Sequence, residues 1–81
     1  MGIIDRSTLD KARQTGILYL SHLGLKTIPE EVFTIKNLIR LDLGWNHLKE
    51  ISPRIGELTN LEELWLNRNP LKSLPVELES C

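Results

Sequence analysis

Two histidines, one cysteine and a few hydroxyls are the side chains of this sequence best suited to acid–base or nucleophilic chemistry. Their spacing works against it. His22 and His47 lie 25 positions apart (47 minus 22), and neither has a base or nucleophile at a matching offset. Ser21 adjoins His22, but successive residues of a strand point to opposite faces, so the imidazole cannot reach the hydroxyl proton. No Cys or His pair has a zinc-ligand spacing, and no glycine-rich loop leads into a helix to hold phosphate. An enzyme, a bound metal and a cofactor are therefore not expected.

Recognition chemistry is better supplied. The chain has four aromatic residues, Tyr19, Phe33, Trp45 and Trp65. Three of them, Tyr19, Trp45 and Trp65, fall beside leucines in stretches that alternate as strands do, on the side away from those leucines. Around them on the same outward set stand His22, Arg40, Asp42, Glu63, Asn67 and Arg68, with Ile17, Ser21 and Gly44 between. Tyr, Trp and Arg dominate binding hot spots, and each contributes roughly 2 kcal/mol or more once a partner covers it. The competing reading is packing alone, with Trp45 lying under Arg68 as a cation–π pair and its neighbours filling the sheet surface. Arg40 and Glu63 are expected as lateral neighbours in an exposed ion pair worth under about 1 kcal/mol.

What positions these residues is a repeat. Leu18, Leu20 and Leu25 recur as Leu41, Leu43 and Leu48 and again as Leu64, Leu66 and Leu71, a step of 23 (41 minus 18, 64 minus 41). Ile28, Ile51 and Leu74 follow the same step, as do Val32, Ile55 and Leu78, and then Ile35, Leu58 and Cys81. A period in the twenties with Leu-x-Leu at its centre is the mark of a solenoid, whose short coils stack and bury one shared aliphatic stripe. Leu-x-Leu predicts a short strand with both leucines inward, so repetition predicts a parallel sheet. Segments such as Ile51-Ser-Pro-Arg-Ile55-Gly-Glu-Leu58 space their apolar residues by three or four around a proline, which suits a short helical or 3₁₀ turn on the opposite face.

The expected class is thus an α/β solenoid, with strands on a concave face and 3₁₀ or helical turns on a convex one. Residues 3–14 read as a helix with Ser7-x-x-Asp10 as its capping box, Ile4, Leu9 and Ala12 on one side, and Gly16 as its stop. Residues 1–16 are then an N-terminal cap that shields the open end of the core. Residues 17–81 form three repeats, running over 15–37, 38–60 and 61–81, the last incomplete. Cys81 falls in register with Ile35 and Leu58 and reads as a small core residue. Phe33 aligns with Gly56 and Glu79, at places that should face water, and is expected to pack beneath the N-terminal helix rather than to add to a convex contact.

Composition bounds the rest. With 81 residues, 41% hydrophobic, 26% charged, five Gly and four Pro, the chain fits one small globular domain that buries only roughly 60–65% of its unfolded surface. A net charge of −1 and a pI near 6.1 lack the basic footprint of nucleic-acid binding. The longest apolar run, Ile17 to Leu20, is four residues, against the roughly 20 that cross a bilayer, so no membrane span or signal segment is expected. A single cysteine favours a reducing compartment, and the cytoplasm is the expected location.

The pattern Leu41-x-Leu43-x-x-Asn46-x-Leu48-x-x-Ile51, repeated as Leu64-x-Leu66-x-x-Asn69-x-Leu71-x-x-Leu74-Pro75, resembles the leucine-rich repeat. The 23-residue length and the Ile28-Pro29 and Leu74-Pro75 steps are similar to its Ras-group subclass, found in Ras-suppressor-type and Scribble-type intracellular scaffolds. The resemblance implies a curved segment whose concave face binds a protein, in signalling or scaffolding. The sequence departs from the pattern in two turns, with Leu23 where Asn46 and Asn69 stand and Pro53 one place later than Pro29 and Pro75. Two functional readings follow. In one, the concave set of Tyr19, His22, Arg40, Asp42, Trp45, Glu63, Trp65, Asn67 and Arg68 binds a partner protein. In the other, the third coil, with no capping element expected after it, pairs with a second copy into a homo-oligomer, or is one piece of a longer array.

Overall fold

The computed structural model describes residues 5–72. Along them run a helix α1 (Arg6–Thr15), strand β1 (Ile17–Tyr19), a 3₁₀ helix (Glu30–Thr34), strand β2 (Arg40–Asp42), a second 3₁₀ helix (Pro53–Glu57) and strand β3 (Glu63–Trp65). The strands form one parallel sheet in chain order, with Leu18 opposite Leu41 and Leu41 opposite Leu64. The register of the sheet is therefore the 23-residue step of the sequence.

Helix α1 closes the first edge of this stack. Its N-cap is Asp5, not the expected Ser7: the Asp5 carboxylate accepts from the Thr8 backbone N–H at 2.9 Å and from the Ser7 and Thr8 hydroxyls. A carboxylate with three donors outcompetes a neighbouring serine for the orphan amides of the first turn, and these hydrogen bonds, Thr8 foremost, hold the Asp5 carboxyl below its ordinary range. At the other end Gly16 takes φ 76° and its N–H returns to the Ala12 carbonyl. A side chain there would stand 3.1 Å from the Asn37 carbonyl oxygen, so glycine serves both conformation and space. Leu9 and Ala12 are buried where α1 packs on β1, while Ile4 lies outside the described residues.

The coils are joined by backbone hydrogen bonds that repeat with the sequence. The Gly16 carbonyl accepts from the Ile39 and Arg40 amides, and one coil on the Ile39 carbonyl accepts from the Glu62 and Glu63 amides. Inward leucines and isoleucines of the first two coils are buried throughout, whereas Leu64, Leu66 and Leu71 are half-buried. The two 3₁₀ helices enter with the same backbone geometry despite the shifted proline. Pro29 stands at one N-cap, and Ser52, with Pro53 after it, stands at the other and accepts from the Arg54 N–H. Leu74, Pro75, Leu78 and Cys81, which the sequence places in the last coil, lie outside the described residues.

Phe33 departs from the water-facing character expected of the positions it aligns with. It is fully buried rather than facing water, and the Arg54 guanidinium caps its ring at 5.1 Å. Alignment with Gly56 and Glu79 could not show this, because the cover comes from a residue of the next coil at a different repeat position.

Candidate functional site

The turns that follow each strand decide how the outward residues are held. Asn46 is buried, and its Oδ1 accepts from the Leu23 and Leu25 amides at 3.0 Å each. Its Nδ2 donates to the Leu20 carbonyl at 3.0 Å and the Leu43 carbonyl at 2.9 Å. Asn69 repeats the pattern one coil on, accepting from the Leu48 amide and donating to the Leu43 and Leu66 carbonyls. A buried amide that satisfies both the previous coil and its own turn locks their spacing. At the first coil, where Leu23 stands in place of an asparagine, the Leu23 backbone N–H is held by Asn46 of the next coil.

Just before these asparagines, and before Leu23 in the first coil, the chain turns through the left-handed region, at His22 (φ 62°), Trp45 (φ 56°) and Arg68 (φ 63°). Few non-glycine residues adopt it, and each costs on the order of 1–3 kcal/mol that the surrounding hydrogen bonds must offset. The geometric result is a column of side chains. His22 stacks on Trp45 with ring centroids 5.4 Å apart and planes at 14°, and the Arg68 guanidinium lies 5.0 Å from the Trp45 ring. The turns are pinned across coils by His22 N–H to the Gly44 carbonyl at 3.2 Å and Trp45 N–H to the Asn67 carbonyl at 2.9 Å. Gly44 permits this closeness, since a Cβ there would meet the Asn67 Oδ1 at 2.8 Å.

A second column rises from the strands themselves. Tyr19, Asp42 and Trp65 pair in register across the sheet and, with Arg40, Leu41 and Glu63, line a hollow of about 240 Å³. Tyr19 is 66% exposed, Trp65 56% and Trp45 50%. Arg40 and Glu63 meet as expected, Nε to Oε2 at 2.8 Å, and the other Glu63 oxygen accepts from the Trp65 indole at 3.2 Å. All nine outward residues named from the sequence therefore lie on the strand side, in neighbouring columns. His22 is engaged with an aromatic ring rather than with a hydroxyl.

Two other columns are not evident from the aliphatic ladder, although they obey the same step. Asn37 donates to the Arg13 carbonyl at 2.7 Å and Asn60 to the Lys36 carbonyl at 3.0 Å, an asparagine pair 23 apart. Lys26, Lys49 and Lys72, also 23 apart, line a broad groove of about 800 Å³ with Glu30 and Glu50. A period defined by leucines and isoleucines passes over such polar repeats. Near the first pair, Glu57 accepts from Arg54 and Lys36, and Arg54 also reaches Glu30.

Stacked coils with one parallel strand each, 3₁₀ helices opposite and asparagine-locked turns define a leucine-rich repeat solenoid. A family model for leucine-rich repeats, in two copies, matches residues 36–79, over half of the sequence. The chain belongs to the leucine-rich repeat family. It is 46% identical over 61 residues to the volume-regulated anion channel subunit LRRC8A of Homo sapiens, a match covering 72% of this chain and 7% of that protein. It is 37% identical over 73 residues to the plant intracellular Ras-group-related LRR protein 7 of Oryza sativa subsp. japonica, covering 89% and 28%. A solved leucine-rich repeat protein of Leptospira interrogans aligns with a TM-score of 0.48 at 33% identity, over 96% of this chain and 27% of the other. The repeat length and the rice relative support the Ras-group subclass. The chain spans from 7% to 28% of the length of the curated relatives it matches. Among the described residues no helix is long and apolar enough to cross a membrane.

Proposed function

We propose that the chain is a non-enzymatic protein-interaction module that binds a partner protein through the strand-side face, in cytoplasmic signalling or scaffolding, without nucleic acid or membrane. The observation that carries this reading is the placement of aromatic residues. Tyr19, Trp45 and Trp65 all stand half or more exposed on the strand side, while Phe33 is consumed by the core. A protein of marginal size gains little from leaving its three largest outward rings in water, and such rings are what a partner covers at a hot spot. The partner-binding set is Tyr19, His22, Arg40, Asp42, Trp45, Glu63, Trp65, Asn67 and Arg68. Family membership supports the class of function, and the word intracellular in the rice relative's name supports the compartment.

The test is capture of partners from cell extract with wild type and Trp65→Ala side by side. The variant is expected to retain at least tenfold less of the captured partner, with its circular dichroism unchanged. Equal capture by both proteins sinks the reading. A second reading, self-association, is favoured by the half-buried Leu64, Leu66 and Leu71, since a third coil with incompletely covered leucines can stack on another copy. A mass that rises with concentration in sedimentation supports it, and a monomer at high concentration removes it.

A further inference from the structure

The hollow between Tyr19 and Trp65 has chemistry that narrows what the partner offers. We infer that it receives the cationic end of a lysine or arginine side chain carried by the partner protein. This rests on the reading of the strand-side face as the partner surface and names the group that face recognises.

Spacing comes first. Neighbouring strands lie about 4.8 Å apart, so Tyr19 and Trp65, two strands apart in register, flank Asp42 with about 10 Å between their backbones. A cation held over Asp42 is then one strand spacing, about 5 Å, from the Tyr19 and Trp65 positions, on the scale of the roughly 6 Å reach of a cation–π contact. The structure already shows this contact next door, where the Arg68 guanidinium lies 5.0 Å from the Trp45 ring.

Charge decides the rest. Arg40 is neutralised by Glu63 at 2.8 Å, and the second Glu63 oxygen is engaged by the Trp65 indole. Asp42 accepts only the Gly44 backbone N–H at 2.9 Å and joins no ion pair among the described residues. Residues 73–81 carry no Lys or Arg to supply one. The hollow thus presents one uncompensated carboxylate between two aromatic side chains. An acidic visitor would meet like charge, and an aliphatic one would strip water from Asp42 without giving the carboxylate a partner. A cation satisfies the carboxylate and both rings together.

The full 81-residue chain is titrated, under nuclear magnetic resonance, with three blocked pentapeptides that carry a single central arginine, lysine or glutamine. The Trp65 indole N–H signal is expected to shift saturably with the arginine and lysine peptides while the Trp45 indole stays in place. The glutamine peptide is expected to bind at least about tenfold more weakly. Asp42→Asn keeps the oxygen that accepts from Gly44 and is expected to fold normally while weakening arginine-peptide binding about fivefold. The inference is overturned if the glutamine peptide binds as well as the arginine peptide, if no peptide moves the Trp65 signal, or if Asp42→Asn binds like wild type. Partner capture separates the two levels. Loss with Trp65→Ala but full retention with Asp42→Asn keeps the partner surface and discards the cationic occupant, whereas retention by both variants discards both.

Discussion

The columns His22–Trp45–Arg68 and Tyr19–Asp42–Trp65 rest on the same ladder of coils, three residues apart in each, yet they end in opposite conditions. In the first, an aromatic ring, a larger ring and a cation follow one another, so each member finds its complement in the chain itself. In the second, a carboxylate separates two rings, so the complement is missing and a hollow is left. Repetition of a backbone therefore does not impose repetition of contacts. The order of side-chain types along a column decides whether its interaction energy is realised inside the molecule or held available at the surface. The two also differ in support: the first stands on left-handed turns tied to the asparagines Asn46 and Asn69, the second on plain strand.

That difference in support can be broken most severely at Asn46. Asn46→Ala removes the acceptor of the Leu23 and Leu25 amides and the donor to the Leu20 and Leu43 carbonyls. Each buried group left unpaired costs about 1–3 kcal/mol, and water relieves only part of this, so a loss of about 3 kcal/mol in urea unfolding is expected. In a chain of this size that is a large share of total stability. A loss below about 1 kcal/mol would mean that the turns hold their shape without the amide, and the contrast in support would fall.

A sharper and smaller contrast comes from truncating one tryptophan in each column. Trp45→Ala deletes a ring flanked by His22 on one side and Arg68 on the other, and a stability loss of about 1–2 kcal/mol is expected. Trp65→Ala deletes an indole whose one described hydrogen bond is an exposed contact with Glu63, and the expected loss is about 0.5 kcal/mol or less. Urea denaturation of the two variants reads this directly. Equal losses would show that the strand column stabilises the fold as much as the turn column does.

The step of 23 made the architecture legible, because stacked leucines at fixed offsets admit only one way of sharing a core. The same step placed the outward residues correctly on the strand side and paired Arg40 with Glu63. What it could not supply is anything set between columns or by competition. The cap passed from Ser7 to Asp5 because a charged acceptor collects three donors, a contest that a capping pattern does not register. Phe33 lies in the core cluster with Arg54, at an unrelated repeat position, over its ring. The stack of His22 on Trp45 depends on left-handed turns at residue types that do not announce them. The hollow at Asp42 is legible only once the register shows which side chains stand on either side of it.

The smallest expected effect asks whether charge on the convex side reaches either column. Glu57 accepts hydrogen bonds from Arg54 first and Lys36 second, and these hold its carboxyl at about 2 against an ordinary 4.5. A carboxyl lowered on folding stabilises the folded state above its unfolded value and loses that contribution as pH falls through the folded one. The melting-temperature advantage of wild type over Glu57→Gln is therefore expected to be level from neutrality down to about pH 4.5, to shrink below that, and to vanish near pH 2. The Asp5 carboxyl, also lowered, is common to both proteins and cancels in the difference. Because Glu57 is exposed, the advantage is small and is expected to fade further as salt shortens the screening length to about 3 Å at 1 M. Tryptophan indole signals should not move between the two proteins, since the convex charges and the strand-side columns lie on opposite sides of the core. If Glu57→Gln does shift Trp45 or Trp65, the columns do not owe their different states to local order alone, and the comparison must include the convex charges.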